Sequence, residues 1–331
     1  MIKPVTIVAG FLGAGKTTLA LRLISQGMLR DAVLIVNDFG EVSFDSAQVA
    51  STGVAYRALE NGCICCSAKD DLVKILHEIP ELFPSKTEVW IETSGISAPG
   101  DLISLFQGSS FLSAHFQVSS VLTVVDGRCA IKWLSSQDSV VEQIAFASTI
   151  LINDFGSPDE IENSVVDWIR TINPVAPISI KSLTNDAIKS FQSFFDYAYQ
   201  APKAEILEKI RAPQNELNHG FCTHTIRWTG CLNERAFAVL IDDWIEKYGS
   251  GVLRLKGVAR LDSKDELMVV QGVRRQVMFD YDSSSEWPDE GFLVLIGTKI
   301  TKESVASLSH NINSLSSQVG SLGEEKTCQR L

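Results

Sequence analysis

The chain has 331 residues, 45% hydrophobic and 21% charged, with 40 acidic against 29 basic side chains and a formal net charge of −11. This is the composition of a globular protein long enough for one large domain or two moderate ones, and it excludes fibrous, disordered and miniature disulfide-stapled classes. No broad basic surface is available for nucleic acid, no apolar run is long enough to span a membrane, and the N-terminus lacks the long apolar core of a signal peptide, so a cytoplasmic protein with neither partner is expected.

From the N-terminus to about residue 200, short apolar runs alternate with amphipathic stretches: Val5 to Ala9, Val33 to Val36, Glu88 to Ile91, Val118 to Val125, Thr149 to Ile152 and Pro177 to Ile180. Runs apolar on both faces predict a mainly parallel sheet with helices packed on each side, a doubly wound α/β domain. The first run leads into Gly10-Phe11-Leu12-Gly13-Ala14-Gly15-Lys16-Thr17, which fits G-x-x-x-x-G-K-[ST] with a strand before it and an amphipathic segment from Thr18 after it. The backbone from Gly10 through Gly13, Ala14 and Gly15 to Thr18 is expected to cradle phosphates, Lys16 to reach the β and γ phosphates, and the Thr17 hydroxyl to ligate Mg²⁺. This predicts a bound nucleoside triphosphate.

Next come Asn61-Gly62-Cys63-Ile64-Cys65-Cys66-Ser67, and then Leu72, Ile75, Leu76 and Ile79 at helical spacing. Ser67 and Asp70 form an S-x-x-D capping signature, so the thiols should sit just outside a helix N-terminus, where the thiolate form is favoured. Cys63, Cys65 and Cys66 meet at one ion only if the backbone turns sharply, which Asn61-Gly62 suits. Three thiolates with an open fourth position suit a transition metal such as Zn²⁺ or Cu(I) that is handed on. Buried structural cysteines and a Cys63–Cys65 redox pair are the alternatives. Cys129, Cys222, Cys231 and Cys328 stand alone, and His219 and His224 have no partner spacing. Glu92-Thr93-Ser94-Gly95 ends the Glu88 to Ile91 strand, placing Glu92 to position Mg²⁺ or water and the Gly95 N–H toward a γ-phosphate.

Residues 201–220 read as a linker. A second unit over 221–310 opens with a strand (Phe221 to Trp228) and a helix (Glu234 to Tyr248 with Phe237, Ile241, Trp244 and Ile245 inward). Strands follow near Val252 to Leu255, Leu267 to Gln271, Arg275 to Tyr281 and Phe292 to Ile296. A smaller α+β domain is expected, followed by a mobile Ser-rich tail over 311–331.

Taken together, these pieces resemble the CobW-type metallochaperone GTPases, relatives of the urease and hydrogenase nickel-insertion GTPases. The phosphate loop, Asn37 to Val42, Asn61 to Cys66, Glu92 to Gly95 with Ala98-Pro99, Val125-Asp126 and Gln143 to Ala147 carry the likeness, which continues through Val252 to Gly257, Gln271 to Val273 and Trp287. The resemblance implies a slow GTPase that uses GTP and Mg²⁺ to assemble a metal site at the Cys-x-Cys-Cys loop. Hydrolysis then delivers Zn²⁺, Co²⁺ or Fe²⁺ to a client metalloprotein. It places Asp38 and Glu41 in the first switch region, as oxygen ligands or as solvated loop acids. The family's guanine-reading Asn-Lys-x-Asp falls at Asn153-Asp154-Phe155-Gly156, where Asn153 is kept but the lysine and the aspartate are not. ATP is therefore admitted beside GTP, and no histidine-rich tract is present. A small-molecule or nucleotide kinase and a nucleotide-gated metal or redox sensor are the rival readings; Arg57 and Arg128 alone across residues 40–130 argue against a kinase acceptor pocket.

Overall fold

A computed structural model describes residues 2–36, 54–58, 67–129, 131–156, 163–183, 221–283 and 290–321. The chain divides into two compact units, one formed by residues 1–169 and 176–198 and the other by 170–175 and 199–331. The linker expected at 201–220 lies outside the described residues.

In chain order the first unit contains β1 (Lys3–Gly10), α1 (Lys16–Ser25), β2 (Ala32–Val36), β3 (Ala55–Ala58), α2 (Ser67–Leu82) and β4 (Glu88–Glu92). It continues with α3 (Pro99–Gly108), α4 (Ser110–His115), β5 (Phe116–Asp126), α5 (Asp138–Phe146), β6 (Thr149–Asn153), α6 (Asn163–Ile172) and β7 (Ile178–Lys181). The strands form one sheet in the order β3-β2-β4-β1-β5-β6-β7, every pair parallel. Every residue of β2 and β6 is buried, as strands covered on both faces require. Around α1, the side chains of Leu19, Ala20, Leu23 and Ile24 join Leu34, Val36, Leu122 and Leu151 in a core below 5% exposure. The short strand β3 was not expected from the sequence: Ala55-Tyr56-Arg57-Ala58 carries too little apolar pattern to declare itself, and its pairing with β2 defines it.

The register decides where chemistry can happen. Val8 on β1 pairs with Glu92 on β4, Gly10 with Val124 on β5, and Asp126 with Asn153 on β6, so these strands end along one edge. The order reverses at β1, which is flanked by β4 and β5, and such a crevice at the carboxyl ends of strands is where open α/β sheets bind ligands.

The second unit is a five-stranded antiparallel sheet in the order β11-β10-β9-β12-β8. Its elements are β8 (Phe221–Trp228), α7 (Glu234–Tyr248), β9 (Val252–Arg260), β10 (Leu267–Val273), β11 (Gln276–Asp282), β12 (Gly291–Thr298) and α8 (Lys302–Ser321). Asn233 caps α7 by accepting from the Ala236 N–H at 3.1 Å. One sheet face packs Ile226, Leu255, Met268, Val270, Leu293 and Leu295 against Phe237, Ile241, Trp244, Leu308 and Ile312 of the two helices. The α8 helix corrects the expectation of a tail from residue 311: the helix runs on to Ser321, and Ile312 is fully buried. Its serine-rich sequence hides the helical stripe of Leu308 and Ile312. The β10–β11 hairpin closes over Arg274 and Arg275 alone, with Arg274 at φ 55.

Burial lowers the Lys256 ammonium on β9 to about 7, with repulsion from Arg254 as the smaller cause. A depressed folded-state value means a penalty that is full below about 7 and disappears as pH rises toward the unfolded value near 10.5. Lys256→Met is therefore expected to stabilise the protein in phosphate-free buffer at pH 7, with the gain shrinking by pH 9.5. Denaturant unfolding of both proteins at the two pH values measures it, and a gain that grows with pH would refute the assignment.

Candidate nucleotide site

The loop between β1 and α1 sits in the crevice where the sheet order reverses. Gly10 closes β1, Gly13 follows at φ 76, and Gly15 caps α1 at φ 105, a left-handed conformation that favours glycine. A Cβ on Gly15 would stand 2.8 Å from both the Asn153 amide and the tip of Leu183, which would have to shift, and at this φ any larger residue is strained. The loop is braced by Ala14 N–H donating to the Phe11 carbonyl at 3.2 Å and by Leu19 N–H to Gly15 at 2.8 Å. Thr18 lies in the first turn of α1, whose N-terminal N–H groups give the site its positive end. Lys16 is 7% exposed, and its Nζ donates to the Phe11 carbonyl at 3.2 Å, which holds the ammonium over the loop.

Thr17 and Glu92 come together across 75 residues of sequence: the Thr17 hydroxyl donates to Glu92 Oε1 at 2.6 Å. Glu92 is 1% exposed. Its carboxylate is also felt by Tyr56 on β3, whose phenol is pushed up to about 12, first by burial and then by Glu92. A hydroxyl and a carboxylate oxygen at one point are hard donors, and they fit Mg²⁺.

The segment after Glu92 is locked in place. Thr93 donates through both its N–H and its hydroxyl to the Val8 carbonyl, at 3.0 and 3.2 Å. Gly95 passes so close to the phosphate loop that a Cβ there would lie 2.5 Å from the Leu12 nitrogen. Gln143 on α5, 1% exposed, donates from Nε2 to the carbonyls of both Gly95 and Ser97 at 3.1 Å. Pro99 then opens α3 at the position where a missing N–H costs nothing. Gln143 and Tyr56 are the site residues the sequence reasoning missed. The sequence around Gln143 carries no local sign of its contacts with residues 95 and 97, and Tyr56 lies in a strand that only its pairing with β2 defines.

At the end of β6, Asn153 donates to the Ala14 carbonyl and accepts the Phe155 N–H, both at 3.1 Å, tying this strand end to the phosphate loop. The Asp154 carboxylate turns inward, accepts the Gly156 N–H at 2.8 Å and is 5% exposed. Phe155 (φ 51) and Gly156 (φ 91) are both left-handed, which presents the Phe155 ring outward at 39% exposure. Arg128 lies over that ring at 3.4 Å and is held there by Asp126, whose two oxygens accept from Nε at 3.1 Å and Nη2 at 2.9 Å. Arg57 donates to the Tyr56 carbonyl and stacks on Phe83. Both arginines between residues 40 and 130 are thus engaged within the chain, which counts against a kinase acceptor pocket.

Cys63, Cys65, Cys66, Asp38 and Glu41 lie outside the described residues, and among the described residues no group of three metal-ligating side chains occurs. Their flanks are informative. Val36, the last residue of β2, pairs with both Glu92 and Ala58, so β2 and β3 end at the same edge of the sheet as Glu92. The segment that begins at Ala58 rejoins described structure at Ser67, the first residue of α2.

Residues 4–179 match the family described as CobW/HypB/UreG, nucleotide-binding domain, and residues 221–311 match the cobalamin synthesis protein cobW C-terminal domain. The chain belongs to the CobW family. It is 25% identical to the zinc chaperone YjiA of Escherichia coli K12 over 91% of its own length and 96% of that protein's. It is 27% identical to the zinc-regulated GTPase metalloprotein activator 1 of Saccharomyces cerevisiae, over 92% of its own length and 82% of that protein's. The crystal structure of Zn(II)-bound YjiA from E. coli superposes with a TM-score of 0.64 at 20% identity, covering 95% of this chain and 99% of that one, which shows the shared fold. With its phosphate loop and its Thr17–Glu92 pair, this CobW family member is a nucleoside triphosphatase.

Replacing Gly95 by Ala is expected to lower kcat for triphosphate hydrolysis by about tenfold or more, because the added methyl drives the loop off Leu12, the kind of overpacking that costs about 1–3 kcal/mol. Steady-state phosphate release with a circular-dichroism check of the fold measures it. Wild-type turnover in Gly95→Ala would show that this close approach has no bearing on the reaction.

Proposed function

We propose that the chain is a GTP-dependent metallochaperone that takes a transition metal ion at Cys63, Cys65 and Cys66 as cargo and passes it to a client metalloprotein in the cytoplasm. One observation carries the reading: Glu92 shares a sheet edge with Val36 and Ala58, so the acid at the nucleotide site and the entrance to the cysteine segment lie two strands apart, about 10 Å. The names of the relatives, zinc chaperone and zinc-regulated GTPase metalloprotein activator, support zinc as the cargo.

Each residue then has a part. The loop from Gly10 through Gly13, Ala14 and Gly15 to Thr18 wraps the phosphates with backbone N–H groups. Lys16 leaves the Phe11 carbonyl for the β and γ phosphates. Thr17 and Glu92 would hold Mg²⁺, which when bound supplies positive charge against the charge that builds up on the phosphoryl oxygens. The Gly95 N–H, fixed by Gln143, is the donor set toward the γ-phosphate. Asp38 and Glu41 follow in sequence from β2 and would add an oxygen ligand or sense the same Mg²⁺. A triphosphate that orders these segments together also brings the thiolates together, and its hydrolysis loosens them.

If the two sites are coupled, Zn²⁺ binding should be tighter with Mg²⁺ and a non-hydrolysable GTP analogue than with GDP, and zinc should tighten the analogue by the same factor. Cys65→Ser or Cys66→Ser should abolish the zinc effect and leave zinc-free nucleotide binding unchanged, since a hydroxyl is a poor substitute for a thiolate. Calorimetric zinc titrations in each nucleotide state decide it. Equal affinity in both states rules out the switch.

The base site favours a shallow choice between purines. Asp154 spends its carboxylate on the Gly156 N–H, and Gly156 offers no side chain where a guanine-reading aspartate would accept two base protons. GTP is expected to be preferred over ATP by less than about a hundredfold, well below the discrimination a complete set of base-edge hydrogen bonds provides. Competition binding of the two triphosphates tests this, and a thousandfold preference for GTP would show that other residues read the base.

A further inference from the structure

The second unit contains two charges that neither nucleotide nor metal chemistry uses. On β9, Leu255 and Ala259 face the helices, so alternation turns Arg254, Lys256 and Val258 to the opposite face of the sheet. Across the neighbouring strands Arg254 lies opposite Val273 and Ile296, and Lys256 lies opposite Gln271 and Val294. The cross-strand neighbours are thus three aliphatic side chains and one amide, without a carboxylate. Each cation is only 2% exposed. Nε and Nη2 of Arg254 reach no hydrogen-bond acceptor, and among the described residues neither cation forms an ion pair.

A buried guanidinium without acceptors, beside a second buried cation, is an arrangement that apolar side chains of similar volume would improve if stability were its only purpose. Burial lowers both groups, Arg254 to about 10, and the Arg254 charge adds to the penalty on Lys256. Both penalties are relieved by an anion. We propose that Arg254 and Lys256, with the Gln271 amide, form a binding site for a small oxyanion of the phosphate class. The forked guanidinium matches two oxygens of a tetrahedral anion, the ammonium adds a point charge about 7 Å along the strand, and the amide offers a neutral donor on the neighbouring strand beside the ammonium. The degree of burial sets the size of the occupant: side chains at 2% exposure present no surface for a protein or a membrane to dock on. The chain as a whole carries a net charge of −11, so attraction depends on this local pair and not on a general positive field.

The test uses the full-length, metal-free protein saturated with Mg²⁺ and GDP, so that the diphosphate fills the phosphate loop. Inorganic phosphate is titrated by calorimetry at constant ionic strength, beside thermal melts in phosphate, chloride and acetate. One equivalent of phosphate is expected to bind, and Tm is expected to rise with phosphate but not with chloride or acetate. The double variant Arg254→Met/Lys256→Met should remain folded and lose at least about tenfold in phosphate affinity, as expected when charge-assisted hydrogen bonds are removed. Comparing wild type with this variant separates the site from the phosphate loop, whatever that loop binds. Should the double variant not fold, Lys256→Gln, which keeps a polar group of similar length, carries the same comparison. Glycerol phosphate as competitor distinguishes sources: displacement of phosphate shows that the site takes a phosphate monoester, and its absence that it takes the free ion. A wild-type response to phosphate no larger than to chloride, an unchanged response in the variant, or equal stabilisation by acetate would overturn the proposal.

Discussion

The parallel register around β1 is the constraint on which the site depends. Val8 against Glu92, Gly10 against Val124 and Asp126 against Asn153 bring four strand ends to one edge, and each carries a residue with a task there. A slip of one residue would turn every side chain of a strand to the other face of the sheet and separate Thr17 from Glu92. Close packing opposes that slip, because every residue of β2 and β6 is buried and its neighbours would have to repack around a shifted strand. The apolar interior thus fixes the position of a hydrophilic centre of which it forms no part.

Around that centre, side chains act mostly by holding backbone. Asn153 grips the Ala14 carbonyl, Gln143 grips those of Gly95 and Ser97, and Thr93 bonds twice to the Val8 carbonyl. Buried amides and hydroxyls with their bonds made rigidify what they touch, and leaving them unmade is costly. The backbone of the phosphate loop and of the segment after Glu92 is therefore held in place by the buried side chains around it.

The sequence made some of this legible and concealed the rest for physical reasons. The phosphate loop could be read because its glycines, lysine and threonine are spaced by the geometry of a single turn, and the six apolar runs could be read because strands covered on both faces need continuous hydrophobicity. Pairing across the chain leaves no local trace. Nothing around Gln143 announces that its amide reaches residues 95 and 97, and nothing in Ala55 to Ala58 announces a strand until β2 supplies the partner. Serine is common in the helix from Lys302 to Ser321 and obscures its apolar stripe, in which Leu308 and Ile312 are fully buried and Val305 and Leu315 pack partly buried beside them. The roles expected of Asp38, Glu41 and the three cysteines rest on residue type and on the strand ends that flank them. The departures at Asp154 and Gly156 were visible as letters, whereas the inward turn of the Asp154 carboxylate required the structure.

The two units also differ in how far apart their paired strands lie along the chain. In the second, β10 and β11 close over two residues, and β9 precedes them by a short turn, so three strands can assemble from neighbouring chain. In the first, β1 pairs with strands that begin at residues 88 and 116, and no hairpin is present among its described strands. Closing loops of that length costs entropy before any pairing repays it. The half that leaves the ribosome first is therefore the half whose central strand must wait, with its apolar edges unpaired, until more than a hundred residues have been made.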